Sequence, residues 1–228
     1  MPIPQPWLVD AIEHLDLRQG DRCLMLGCPT TAHLMAVSQI VGRDASIVVV
    51  EPDVDHAERA SKSQHERLEV LAYTPQASDR FGTIDAVLAC PMTTMGWTLP
   101  LWAELIPGNL RPGGRFILDL PARTPCEPLH RAWQTLSGMP DEPPLLCGPA
   151  EEDVAEALRN KGLRRVETSV GTHLLHLESP YALAQILREL KVADPERIPD
   201  LERRLVEVFE TTGEVDVVFH RTCVHGIR

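Results

Sequence analysis

The chain has 228 residues, 43% of them hydrophobic, with 33 acidic and 22 basic side chains and a net charge of −11. That length suits one sizeable α/β domain with a buried core. The acidity repels polyanions and the basic pairs Arg164-Arg165 and Arg203-Arg204 are isolated, which argues against nucleic acid as a partner. Apolar runs reach only strand length, which argues against a bilayer-spanning helix.

The opening residues, Met1-Pro2-Ile3-Pro4-Gln5-Pro6-Trp7, show no charged or apolar leader region. They predict an extended lead-in and not a secretory signal. The six cysteines, Cys23, Cys28, Cys90, Cys126, Cys147 and Cys223, form no Cys-x-x-Cys pair. That spacing predicts buried or free thiols in a reducing, cytoplasmic setting.

Trp7–Leu15 reads as a helix with Leu8, Ile12 and Leu15 on one face. The first strand is Arg22–Leu26, followed by a glycine turn at Gly27. A helix then covers Thr31–Val41, with Leu34, Val37 and Val41 on one stripe. Ser46–Val50 is a β-branched run, as expected of a strand covered on both faces. It ends in Glu51, and Pro52-Asp53 opens a short helix to about Ser61. Strands follow at Arg67–Leu71 and Ile84–Ala89, then a helix around Leu99–Ile106. The tight turn Pro112-Gly113-Gly114 leads into a fifth strand, Phe116–Leu120.

The proline-rich stretch from Thr124 to Pro149 predicts a long loop with a short helix near Leu129–Leu136. Glu151–Lys161 is a helix stopped by Gly162. A sixth strand spans about Leu163–Val170, and Thr172–Leu177 extends it or forms a neighbour. Two amphipathic helices follow, Tyr181–Leu190 (Leu183, Ile186, Leu187, Leu190) and Pro195–Phe209 (Leu201, Leu205, Val208, Phe209). A terminal strand, Glu214–Val224, would lie antiparallel. The alternation predicts a doubly wound, mostly parallel sheet of seven strands with an antiparallel last strand. The expected organisation is a single domain, 1–228, with a loop and helix cover at about 121–150 and a helical insertion at about 178–212.

Several pieces, in this order, resemble the class I S-adenosylmethionine-dependent methyltransferases. Cys23-Leu24-Met25-Leu26-Gly27-Cys28 resembles that family's first strand and glycine loop. Glu51 stands where the family binds the ribose hydroxyls. Phe81-Gly82-Thr83-Ile84-Asp85-Ala86-Val87 resembles its fourth-strand signature, and Leu110-Arg111-Pro112-Gly113-Gly114-Arg115 its Pro-Gly-Gly turn. His173–Leu190 resembles the helical insertion of its small-molecule branch. The resemblance implies methyl transfer to a small-molecule acceptor. It also implies S-adenosylmethionine bound around Leu26, Gly27, Cys28, Pro29, Thr31, Glu51, Pro52, Tyr73 and Cys90. A homodimer or a protein partner is compatible with it, and no catalytic residue is assigned.

The loop departs from that family. Met25 replaces its aspartate, and Pro29 and Thr31 replace its second and third glycines. Proline fixes φ and removes an N–H donor, so the loop is expected to be narrow and cofactor affinity lower by about one or two factors of ten. The alternative reading is a catalytically degenerate binding or scaffold protein.

A dehydrogenase fingerprint read as Gly27-Cys28-Pro29-Thr30-Thr31-Ala32 fails at the same positions, and no G-x-S-x-G elbow marks a hydrolase. His173 and His176 differ by three residues, so on a strand they face opposite sides. His220 and His225 also differ in parity. Neither pair forms a chelate, although one of these histidines could serve as a base.

Overall fold

The structure, a computed structural model, describes residues 7–27, 31–63, 65–90, 97–123, 126–135, 148–189, 196–209 and 215–228. The side chains of residues 7–9, 186, 187, 189 and 215 lie outside that description, and so do all of Cys28, Pro29 and Leu190.

The element order is α1 (Trp7–Leu15), β1 (Cys23–Leu26), α2 (Thr31–Val41), β2 (Ile47–Val50), α3 (Val54–Ser61), β3 (Leu68–Leu71) and β4 (Ile84–Ala89). It continues with α4 (Leu99–Asn109), β5 (Leu110–Pro121), α5 (Glu127–Gln134), α6 (Glu151–Asn160), β6 (Arg164–Leu177), α7 (Pro180–Glu189), α8 (Ile198–Phe209) and β7 (Val215–Ile227). The seven strands form one sheet in the order β3-β2-β1-β4-β5-β7-β6. β1 to β5 are parallel, and β7 runs antiparallel between β5 and β6. This is the architecture the residue pattern predicts.

Strand alternation divides the core into two layers. Leu24, Leu26, Val48, Val50, Phe116 and Leu118 face α4 and α6. Cys23, Met25, Ile47, Val49, Leu88 and Ile117 face α1, α2 and α3. Burial on both faces explains the continuous apolar runs of β1 and β2. A third cluster joins Leu129 of α5, Leu183 of α7 and Leu201 and Leu205 of α8 to Leu175 and Val217, on the outer part of the β6–β7 hairpin.

Thr172–Leu177 extends the sixth strand, the first of the two expected readings, since β6 runs from Arg164 to Leu177 against β7. Other boundaries move: α4 continues to Asn109 and β7 to Ile227. The Pro-Gly-Gly turn lies inside β5 as an irregularity, since Ile84 pairs Leu110 and Ala86 pairs Arg115. Gly113 has φ 76° and donates its N–H to Arg228 O at 2.8 Å. A Cβ on Gly114 would stand 2.9 Å from Arg111 O and 3.2 Å from Asp85 O. The second glycine is therefore needed for close backbone approach, the first for its left-handed conformation.

Asp85 supplies the physical reason for the fourth-strand motif. Its Oδ2 accepts from Arg22 N at 2.9 Å, and its Oδ1 pairs with Arg111 Nε. One side chain thus ties the start of β1 to β4 and to the turn in β5. Burial alone would raise its pKa; the Arg22 N–H and the Arg111 guanidinium outweigh that and lower it.

Cys23, Cys126 and Cys223 are free thiols pushed up to about 12, chiefly by burial. Cys147, like Cys28, lies outside the described residues. Among the described residues no helix is long and apolar enough to cross a membrane.

Candidate functional site

The registered pairs Leu26–Val50, Val50–Leu71, Leu26–Ala89 and Ala89–Leu118 mark the carboxyl edge of five parallel strands. One residue further on, Ala72, Glu51, Gly27, Cys90 and Asp119 form a single rung across β3, β2, β1, β4 and β5. Neighbours in such a rung are about 4.8 Å apart. Backbone bonds fix the rung: Gly27 N donates to Val50 O at 2.9 Å, Glu51 N to Leu71 O at 3.0 Å, and Cys90 N to Leu26 O at 3.2 Å. The rung crosses the point where the strand order reverses between β1 and β4, which is where open α/β sheets bind ligands.

Gly27 is buried and has φ 78°. That left-handed turn releases the chain from β1 without a side chain in the way. Glu51 is 6% exposed, and its Oε1 accepts from Asp53 N at 3.0 Å. Asp53 in turn caps α3 through Asp55 N and His56 N. The carboxylate is therefore held at the edge by the turn that follows it, and Pro52 lies within that turn.

Sequence-selected residues divide into three groups. Leu26, Gly27, Glu51, Pro52 and Cys90 come together at the carboxyl edge, with Leu26 itself in the core. Tyr73 is one residue beyond the rung and 37% exposed, so it is not a core tyrosine. Its hydroxyl donates to Asp79 Oδ2 at 2.7 Å, and burial followed by the Asp79 contact pushes its pKa up to about 12. Thr31 begins α2 and faces a polar groove between α2 and α3, with Met35, Arg43, Arg59 and Lys62. Cys28 and Pro29 lie outside the described residues.

Met25 is fully buried among Leu34, Val37 and Val49. It acts as core and contributes no polar group to the edge.

The rung continues onto β7 and β6, where Asp119 pairs Cys223 and Cys223 pairs Ser169. Asp119 is 2% exposed and Arg221 4%. Arg221 Nε donates to Asp119 Oδ1 at 3.1 Å, and its Nη2 to Asp119 O at 2.7 Å. The residue pattern did not single out this pair, although an acid inside the apolar run Phe116–Leu120 was a visible signal. His173 lies beside the pair with a side chain 9% exposed, facing Asp10 of α1. His176, on the other face, donates from Nδ1 to Asp216 Oδ1 at 2.7 Å. The opposite facing of these two histidines is what their spacing predicts.

No family model matches the chain, and no curated protein matches it. Solved structures do. YcgJ from Bacillus subtilis matches with a TM-score of 0.65 at 13% identity, over 97% of each chain. A candidate methyltransferase of an antibiotic biosynthesis pathway from Anabaena variabilis matches at 0.64 and 15% identity, over 99% of this chain and 98% of its own. A candidate methyltransferase from Bacillus halodurans matches at 0.58 and 11% identity, over 96% and 97%. At these identities the likeness is one of fold. The fold is that of the class I S-adenosylmethionine-dependent methyltransferases.

Proposed function

We propose that the protein binds S-adenosylmethionine along the carboxyl edge and transfers its methyl group to a small-molecule acceptor. The observation that carries this reading is the rung Glu51–Gly27–Cys90 at the reversal of strand order. The described residues fit the nucleoside part of the cofactor. Glu51 is a fixed, buried carboxylate suited to two sugar hydroxyls. Gly27 opens the turn, and Tyr73 offers a ring for the base. When bound, the cofactor supplies a methyl group activated by a sulfonium. The chain's own part is to orient the acceptor beside Cys90 and exclude water. The free thiols of Cys23, Cys126 and Cys223 fit a reducing, cytoplasmic setting, and the α5–α7–α8 layer serves as the helical cover and insertion of a single domain.

Calorimetric titration with the cofactor or its demethylated product tests the reading. No heat and no thermal shift at millimolar ligand would sink it.

A second reading, a degenerate binding or scaffold protein, is favoured by one observation: Met25 is wholly core where the resembled family has an aspartate. Pro29→Gly with Thr31→Gly separates the two. Micromolar binding by the natural chain excludes the degenerate reading. Binding by the restored variant alone excludes the enzyme.

A further inference from the structure

A cavity of about 110 Å3 lies between α1 and the strands β5, β7 and β6, walled by Asp10, Asp119, Ser169, His173, Arg221 and Cys223. It holds room for several waters or one small polar group. Arg221 occupies Oδ1 and the main-chain oxygen of Asp119. Oδ2 of Asp119 is buried and has no hydrogen-bond partner among the described residues. A buried carboxylate oxygen without a donor is costly. Burial raises the Asp119 pKa, against the lowering influence of Arg221 and His173.

The remaining walls narrow the chemistry. Asp10 adds a second carboxylate, and the guanidinium of Arg221 is turned towards Asp119. Burial, Arg221 and His220 lower the pKa of His173 against the opposing influence of Asp10 and Asp119, which favours its neutral imidazole. Two carboxylates against one committed cation, with the His14 imidazole completing the titratable wall, disfavour an anionic ligand. Gly171 lets the ring fold over its strand: a Cβ there would stand 2.7 Å from His173 Nε2.

We propose that this cavity binds a small molecule through a protonated amine, with Asp119 Oδ2 as hydrogen-bond acceptor and His173 alongside. Its identity as the methyl-acceptor site rests on the methyl-transfer reading. Asp119 stands one strand from Cys90 on the same rung, so an amine held there adjoins the candidate cofactor edge. An ammonium must shed a proton to expose its nitrogen lone pair. The neutral His173 imidazole is placed to take that proton and become imidazolium.

The test is an amide NMR titration of the full chain with ethanolammonium, and with acetate as the anion of similar size. Ethanolammonium is expected to shift the amides of Asp10, Asp119, Ser169 and Cys223 with a Kd of roughly a millimolar or below, within reach of a four-heavy-atom ligand. Asp119→Asn should weaken it by about tenfold or more. Gly171→Ala, which leaves the Asp119–Arg221 pair intact, should also weaken it by displacing His173; it serves if Asp119→Asn does not fold. Equal shifts from acetate, or binding unchanged in the folded variants, overturn the proposal. A parallel titration with S-adenosylhomocysteine keeps the two ideas apart. Amine binding without cofactor binding sinks methyl transfer and leaves the amine site. Cofactor binding without amine binding sinks the amine site alone.

Discussion

Arg221 of β7 reaches across to Asp119 of β5 and donates to both the carboxylate and the main-chain oxygen of Asp119, at 3.1 and 2.7 Å, with both side chains almost wholly buried. Removing one partner strands the other charge in the core. Arg221→Met should cost about 3 kcal/mol or more, and Asp119→Leu combined with Arg221→Met should recover much of the loss. Urea unfolding midpoints measure both. A single variant as stable as the natural chain would rule out the buried pair.

Asp85 predicts a pH dependence. Its folded pKa is lowered, so the stability it contributes is present above the unfolded carboxylate value. That contribution is lost as pH falls through the folded pKa. Asp85→Asn should lower stability by about 1 kcal/mol at pH 7, since Arg111 is 42% exposed and screened. The gap between the two proteins should close below about pH 4. Unfolding curves across pH 2–7 read this directly; a gap that widens in acid contradicts the assignment.

How much of this was legible depends on range. The runs at Ile47–Val50 and Ile84–Ala89 announce covered strands because burial on both faces leaves no polar alternation to confuse. Thr31–Val41 and Trp7–Leu15 were legible from their periodicity. The bounds of β5 were not, because Leu110 joins β4 before the Pro-Gly-Gly turn, and pairing of that kind is set by a distant strand. Glu51 and Gly27 were legible at the carboxyl edge because each closes a strand. The cluster of Asp10, Asp119, His173 and Arg221 draws on four elements separated by more than a hundred positions at its widest. Local pattern carries no trace of such a meeting, apart from the acid inside Phe116–Leu120.

The two turn glycines should differ in their response to alanine. Gly113 has open space around its would-be Cβ but a φ of 76°, so Gly113→Ala should cost about 1 kcal/mol from backbone strain. Gly114→Ala drives a methyl against Arg111 O, Asp85 O and Leu110 Cδ2, and should cost about 2–3 kcal/mol. Thermal unfolding of the pair gives the order; equal losses would contradict the close approach at Gly114.

Met25 tests whether the first strand tolerates the residue its resemblance calls for. The side chain is fully buried between Leu34, Val37 and Val49, so Met25→Asp puts an unpaired carboxyl into an apolar layer. The expected loss is about 3 kcal/mol or more, growing as pH rises and the carboxyl must ionise. A stable variant with improved cofactor binding would instead mean that the strand end can open to the ligand.

Glu51→Gln separates binding from folding. Glutamine keeps an oxygen for the Asp53 N–H that Glu51 accepts at 3.0 Å, so the turn into α3 should hold and the melting temperature should stay within a few degrees. On the proposed cofactor reading, what is lost is the charge that would strengthen hydrogen bonds from two sugar hydroxyls. Affinity for S-adenosylhomocysteine should therefore fall about tenfold to a hundredfold, from about 1.4 to 2.8 kcal/mol of lost interaction. Calorimetry and thermal shift on the same preparation decide the matter. An unchanged affinity removes Glu51 from the site, and a collapse in stability assigns it to the fold.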